Sequence, residues 1–346
     1  MSATVTHPPT PGLAARGRWL LGGAVAVGLL VVALPSMTGV PWASTWTVVS
    51  SVPVLELLAL VALWALGLLS HTVTLTAALP TLSHRRALTL SLTGSAVANV
   101  LPLGGAAGIA LNHRMTRQWG FTNPQFAAYT IVTNAWDVLV KLALPLAVVP
   151  AFALLSDAAV RPVLGPSLLA SGVLAVVAGL VAAALSRPSV AARVGGLADR
   201  FLGAALRLTR SQRELNIRDA LVEVQASCGH VVRTRWVRLT FGMALYTALL
   251  FALMWACLAV TGSGLAPAAV LGGFAVERLL TLAGITPGGA GIVEIGLTGA
   301  LIALGGAPAG VVAGVLLYRA LTFGLEIPVG GIGLAAWLWL RRREVA

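Results

Sequence analysis

Two proline-led, glycine-rich breaks interrupt otherwise apolar sequence, one in each half of the chain. The first reads Asn99-Val100-Leu101-Pro102-Leu103-Gly104-Gly105-Ala106-Ala107-Gly108, and the second Ile285-Thr286-Pro287-Gly288-Gly289-Ala290-Gly291-Ile292-Val293-Glu294. Lipid offers peptide groups no hydrogen-bond partner, so broken backbone at membrane depth persists only where protein or a polar cavity covers it. A matched pair of interrupted apolar segments therefore points to a binding site of the transporter kind at the level of the breaks.

Membrane depth is the right frame because the 346-residue chain is 58% hydrophobic and only 10% charged. Its mean hydropathy is +0.91. Soluble domains carry about 25% charged residues. Apolar runs of about 20 residues, enough to cross a bilayer core of roughly 30 Å, recur along the whole length. The net charge of +12 is almost all arginine, with Lys141 the only lysine. The arginines follow the loops, as expected for cytoplasmic loops under the positive-inside rule. No aromatic-basic module accompanies them, so nucleic acid is not an expected partner; anionic lipid is. Cys228 and Cys257 offer neither metal-ligand spacing nor an expected disulfide.

Charge along the chain predicts the topology. Residues 1–18 read as a disordered cytoplasmic arm, and 19–340 as a single transmembrane domain. Spans are expected at about 19–34, 52–73, 126–149, 164–185, 237–260 and 309–327, with a turn-rich loop over 35–51. A kink at Pro328-Val329-Gly330-Gly331 and a short cytoplasmic tail, 341–346, follow the sixth. Arg85 and Arg86 precede the first break, and Arg114 and Arg117 follow it. Basic flanks on both sides make residues 88–111 a re-entrant element that leaves and returns on one side. Residues 267–305, without basic flanks, form a second re-entrant element that parity opens to the opposite side. The expected fold is thus an all-α polytopic membrane protein of about six transmembrane helices plus two re-entrant broken helices, arranged as an inverted repeat. Residues 186–236 form a basic cytoplasmic loop, where Leu197, Phe201, Ala204, Leu208 and Leu215 recur at helical spacing and predict an amphipathic surface helix.

Charges at membrane depth are costly and therefore informative. Asp137 and Lys141 lie four apart on one helix face, either as a neutralising pair or as a gate or proton site. Glu277 and Arg278 precede the second break and Glu294 follows it. Neighbouring helical residues diverge by about 100°, so Glu277 and Arg278 are not expected to satisfy each other. Arg278 is left to Glu294, to Asp137 or to a substrate phosphate, whose oxygens fit an arginine fork. Glu294 either caps the renewed helix, where the dipole favours a carboxylate, or serves a ligand. Arg319 and Glu326, seven apart, share a face that could lock the last span to the broken element. Asn99, Asn112 and Asn134 surround the first break. His71, His84, His113 and His230 read as scattered residues near loops, without a role. No catalytic triad or Walker loop is visible, and neither enzyme activity, metal nor cofactor is expected.

At the two breaks the sequence resembles the lysylphosphatidylglycerol synthase transmembrane-domain family of flippase-like proteins. Asn-x-x-Pro-x-Gly-Gly from Asn99, with the following Arg114, resembles the first family motif. Thr286-Pro287-Gly288-Gly289-Ala290-Gly291-Ile292-Val293-Glu294 resembles the second, with Glu294 as the motif acid. Arg319 and Glu326 fall where that pattern has polar residues, whereas Ala106 and Ala107 stand where the first motif carries an acid. The resemblance spans roughly residues 50–340. It implies a stand-alone translocating domain without the aminoacyl-transfer domain of the family's larger members.

The expectation is a flippase-like protein of the bacterial inner (plasma) membrane, with both termini cytoplasmic, that moves an anionic lipid or lipid-linked head group. Its substrate-binding residues would be Asn99, Pro102, Gly104, Gly105, Arg114, Arg278, Pro287, Gly288, Gly289, Gly291 and Glu294. Asp137, Lys141, Glu277, Arg319 and Glu326 would gate or couple. The rival expectation is a non-transporting scaffold that recruits a lipid-modifying or cell-envelope enzyme through 186–236.

Overall fold

The computed structural model describes residues 28–101, 104–155, 161–208, 216–282 and 286–345, and all regular structure among them is helical. The arm, most of the first expected span, and Pro102 lie outside the described residues.

Twelve helices carry the argument: α1 (Trp42–Ser50), α2 (Val54–Ala78), α3 (His84–Val100), α4 (Gly104–Gln118), α5 (Asn123–Leu155), α6 (Arg161–Ser186), α7 (Pro188–Leu208), α8 (Ile217–Val260), α9 (Pro267–Leu280), α10 (Ile292–Ala303), α11 (Pro308–Arg319) and α12 (Glu326–Val345). Their starts follow local chemistry. The Ser83 hydroxyl accepts from the Arg86 amide at the head of α3. Pro267 and Pro308 open α9 and α11 at positions whose N–H has no helical partner.

Among the described residues three helical segments are long and apolar enough to cross a membrane: Val54–Ala78, Ile217–Val260 and Pro308–Leu340. The third and fourth expected spans fall on α5 and α6, with 33 and 26 residues. The expected loop over 35–51 is instead largely helical, holding most of a short Leu34–Thr38 turn and α1. Its turn-forming residues, Gly39 and Pro41, occupy only the joint between the two.

Each break is the tip of a helical hairpin. α3 and α4 run back to back so closely that a Cβ on Gly108 would lie 2.7 Å from the Gly94 carbonyl oxygen. A Cβ on Gly94 would lie 2.8 Å from Asn112 Nδ2. In the second hairpin Gly273 abuts Leu297 and Leu301, and Gly296 abuts Leu280. The four arms have 17, 15, 14 and 12 residues. All are shorter than the ~20 that a full crossing needs, as re-entrant elements should be.

The hairpins enter from opposite ends of the bundle. The Thr74 hydroxyl, near the end of α2, donates to the Leu239 carbonyl at 3.3 Å, and the first hairpin begins just beyond. The base of the second is tied by the Ala307 amide donating to the Ser263 carbonyl at 2.9 Å, just past the far end of α8. Leu239 and Val260 are separated along α8 by roughly 30 Å at 1.5 Å per residue, the thickness of a hydrocarbon core. Yet the tips meet: a Cβ on Gly288 would collide with the Phe323 ring and lie 2.9 Å from Asn99 Oδ1.

Two further regions differ from the sequence reading. The described residues of the basic stretch 186–236, read as a loop carrying an amphipathic helix, are almost all helical. They comprise α7 and the first five turns of the 44-residue α8. Asp199 docks the two: its carboxylate oxygens accept from the Ile217 and Arg218 amides at 2.8 and 3.1 Å. Leu215 lies outside the described residues. In the last span the irregular turn is not at Pro328–Gly331 but at Ala320–Gly324, a π turn whose Leu325 amide reaches back to the Ala320 carbonyl at 2.7 Å. A proline's ring clashes with the carbonyl four residues earlier, here Gly324, so the distortion falls on the turn before Pro328. α12 then continues through the expected tail to Val345.

Candidate functional site

Where the hairpin tips meet, a cavity of about 470 Å³ opens between α2, α3, α4, α5 and α8. Its wall is polar. α3 contributes Ser91, Ser95 and Asn99, one face at four-residue spacing. α4 contributes Gly105, Gly108 and Asn112, and α5 contributes Thr133, Asn134, Asp137 and Lys141. Arg278, Arg319, Thr322 and Glu326 reach it from the second hairpin and the last span.

Among the described residues three ion pairs govern the charges. Lys141 and Asp137 meet at 2.7 Å one helical turn apart. Arg278 pairs with its neighbour Glu277, against the expectation that adjacent residues diverge. The reason is reach and burial. Glu277 is fully buried at the end of α9. The three-methylene arginine stem curls round to it, because a lone carboxylate there would be strongly penalised. The Arg278 guanidinium also donates to the Tyr318 hydroxyl at 3.3 Å and lies over the Phe274 ring.

The third pair closes the second break. Arg319 Nε donates to Glu294 at 2.6 Å, and its Nη2 donates to the Gly288 carbonyl at 2.8 Å. The other Glu294 oxygen accepts from the Gly291 amide at 2.6 Å. Thus a carboxylate takes an amide orphaned by the break, and a guanidinium takes a carbonyl. Only half of a capping box is possible, because Gly291 has no side chain to return the bond. Gly288 and Gly291 have φ of +57° and +84°, a region that β-carbons disfavour. Arg319 therefore does lock the last span to the broken element, but through Glu294 and not in concert with Glu326. The π turn between Arg319 and Glu326 breaks their seven-residue phase.

Of the expected substrate residues, the chamber gathers Asn99, Gly105 and Arg278; of the gating set, it gathers Asp137, Lys141, Arg319 and Glu326. Glu277 and Glu294 are buried behind it, each engaged by an arginine. Gly104 packs against the Ala98 backbone. Pro287, Gly288 and Gly289 form the turn of the second tip. Arg114 is exposed and does not line the chamber. Glu326 is buried at the chamber edge, and among the described residues no basic group lies within ion-pairing distance of it.

His71, inside the second expected span, was given no role by the sequence reading. It is a mid-helix residue of α2, stacked on Tyr246 at 4.4 Å between ring centroids, and it lines the chamber. Histidine alone carries no periodic signal. The apolar residues on either side of it already placed it in the expected span 52–73; the chamber it lines carries no such signal. His71 Nδ1 and Asn112 Oδ1 are buried without a hydrogen-bond partner among the described residues. Such atoms are costly unless something occupies the space beside them.

Opposed helical hairpins around a polar chamber define this as an all-α membrane protein. The chain belongs to the lysylphosphatidylglycerol synthase TM region family, whose model matches residues 19–330. That membership makes it a membrane protein of lipid-related function. No curated protein matches the sequence.

Proposed function

We propose that this chain translocates an amphiphile with an anionic head group across the bilayer, as a flippase-like transporter and not as an enzyme. The observation that carries the reading is the convergence of Lys141, Arg278 and Arg319, from three separate helical elements, on one chamber at the meeting of two opposed hairpins. Guanidinium and ammonium groups suit a phosphate head group. The unpartnered Asn112 Oδ1 accepts and so suits a head-group hydroxyl, whereas His71 Nδ1 gives or takes a hydrogen bond according to its tautomer. Hairpins that enter from opposite ends supply a site reachable from either leaflet with the chamber at mid-depth. In this reading the protein sits in the inner (plasma) membrane with both termini cytoplasmic. That orientation puts the arginines of α7 and α8 beside the anionic inner leaflet.

The test is translocation of fluorescent anionic and zwitterionic phospholipids in proteoliposomes. Arg278→Ala alone would strand buried Glu277, so the informative variant is Glu277→Gln with Arg278→Gln, which removes both charges. Folded double variant with transport at least tenfold slower supports the reading. Wild-type rates from the folded double variant, or no protein-dependent movement of any anionic lipid, reject it. The scaffold alternative draws support from the α7–α8 pair, docked by Asp199 into one rigid basic projection. It predicts the reverse pattern: arginine-to-glutamate changes on that pair abolish partner capture while the chamber double variant is silent.

A further inference from the structure

A second cavity, of about 670 Å³, opens on the other side of α5. α5 is a shared wall. Thr133, Asp137 and Lys141 face the chamber, whereas Trp136, Val140 and Ala143 face the groove. The groove lies between α5, α6 and α8. Its polarity is graded. Ser186, the last residue of α6, and Arg233 and Trp236 of α8 stand at one end. Arg233 and Trp236 stand at one level of α8, within a single turn of each other. That level is the basic end of the bundle, six residues before the Leu239 contact that marks the end of α2. The rest of the lining is apolar, including Leu139, Ala143, Ala178 and Gly179.

We propose that this groove is a separate site for an anionic phospholipid, its phosphate at Arg233 and an acyl chain along Ala143 and Gly179; the Ser186 hydroxyl is already given to the Ala182 carbonyl at 2.7 Å. Four observations carry the proposal. A free anion would leave most of the 670 Å³ unfilled, whereas an acyl chain fills it. Arg233 is exposed, and among the described residues no carboxylate lies within ion-pairing distance of it. Arg235 and Arg238 stand on the same two turns of α8 and disfavour a cationic choline, so the lipid that fits carries net negative charge. Trp236 is 56% exposed beside the arginine, at the depth where indoles sit against head groups. The Trp136 indole N–H is already given to the Thr240 hydroxyl at 3.1 Å. The inner wall thus presents ring faces to a chain and no open donors.

The site is independent of transport, so its test measures binding alone. Delipidated full-length protein would be offered equal amounts of dioleoylphosphatidylglycerol and dioleoylphosphatidylcholine, and retained lipids counted by native mass spectrometry. Wild type is expected to retain the phosphatidylglycerol in preference. Arg233→Ala, at an exposed position, should lower its occupancy roughly fivefold, equivalent to about 1 kcal/mol. Gly179→Phe should remove one retained lipid with melting unchanged, since a Cβ at Gly179 meets nothing within 4 Å and the ring would project into the groove. Equal retention of the two lipids by wild type would overturn the proposal. So would unchanged phosphatidylglycerol occupancy in Arg233→Ala, or in Gly179→Phe that melts as wild type does.

Discussion

The two hairpins are alike in sequence and unlike in chemistry. Each has a proline-led glycine turn between two short arms. The second tip is bolted by charge, through Glu294, Arg319 and the Gly288 carbonyl, with Glu277 and Arg278 one turn away. The first carries no charge in Asn99–Asn112; its arms are held by glycine-mediated backbone contact, and its polar face is turned to the chamber. One hairpin is a lock and the other a wall. Repeated topology therefore does not imply repeated function. The missing acid at Ala106 and Ala107 in the first break is consistent with a tip that needs no arginine bolt.

The sharpest way to break this contrast is to remove one half of the lock. Glu294→Ala leaves Arg319 buried without its carboxylate and should cost about 3–5 kcal/mol. Denaturant unfolding in mixed micelles would read it. Loss of less than 1 kcal/mol would mean that the second tip is not held by charge.

Next in size come paired glycine substitutions. Gly288→Ala meets both a positive φ and the Phe323 ring and should lose about 1–3 kcal/mol. Gly105→Ala at the first tip, where a Cβ meets nothing within 4 Å, should stay within ~0.5 kcal/mol. Equal losses would erase the distinction between the tips. Within the first hairpin, Gly108→Ala should separate the arms and cost about 1–3 kcal/mol, because its Cβ would press on backbone. Hydrogen exchange in α3 and α4 should rise with it.

At the chamber wall a charge change should cost far less stability than at the lock. The Asp137 side chain is 42% exposed, so Asp137→Asn should change stability by less than about 1 kcal/mol. Transport in proteoliposomes should nevertheless fall. A stability loss as large as that of Glu294→Ala would make Asp137 part of the scaffold.

Much of the fold was legible in the chain. Hydropathy marked the long helices, the breaks marked the hairpin tips, and matched basic flanks made 88–111 re-entrant. The Asp137–Lys141 pair was legible too, because four-residue spacing is a property of one helix. The long α8 was not. The stretch 186–236 was read as a basic loop carrying one amphipathic surface helix, although arginine is a good helix former and nothing there breaks a helix between Ile217 and Arg238. The groove beside α5 had no signature either, since its lining comes from three helices far apart in the chain.

By itself the sequence determined the class, the position of both breaks and the identity of the few charges allowed at depth, because the cost of placing polar groups in lipid leaves few alternatives. Only the tertiary structure decided the partners of those charges. Arg278 took Glu277 and Arg319 took Glu294, while Glu326 and His71 were brought to the chamber. Periodicity describes the face of a single helix, whereas ion pairing in a buried site is settled by which side chains from different helices come within reach once water is excluded.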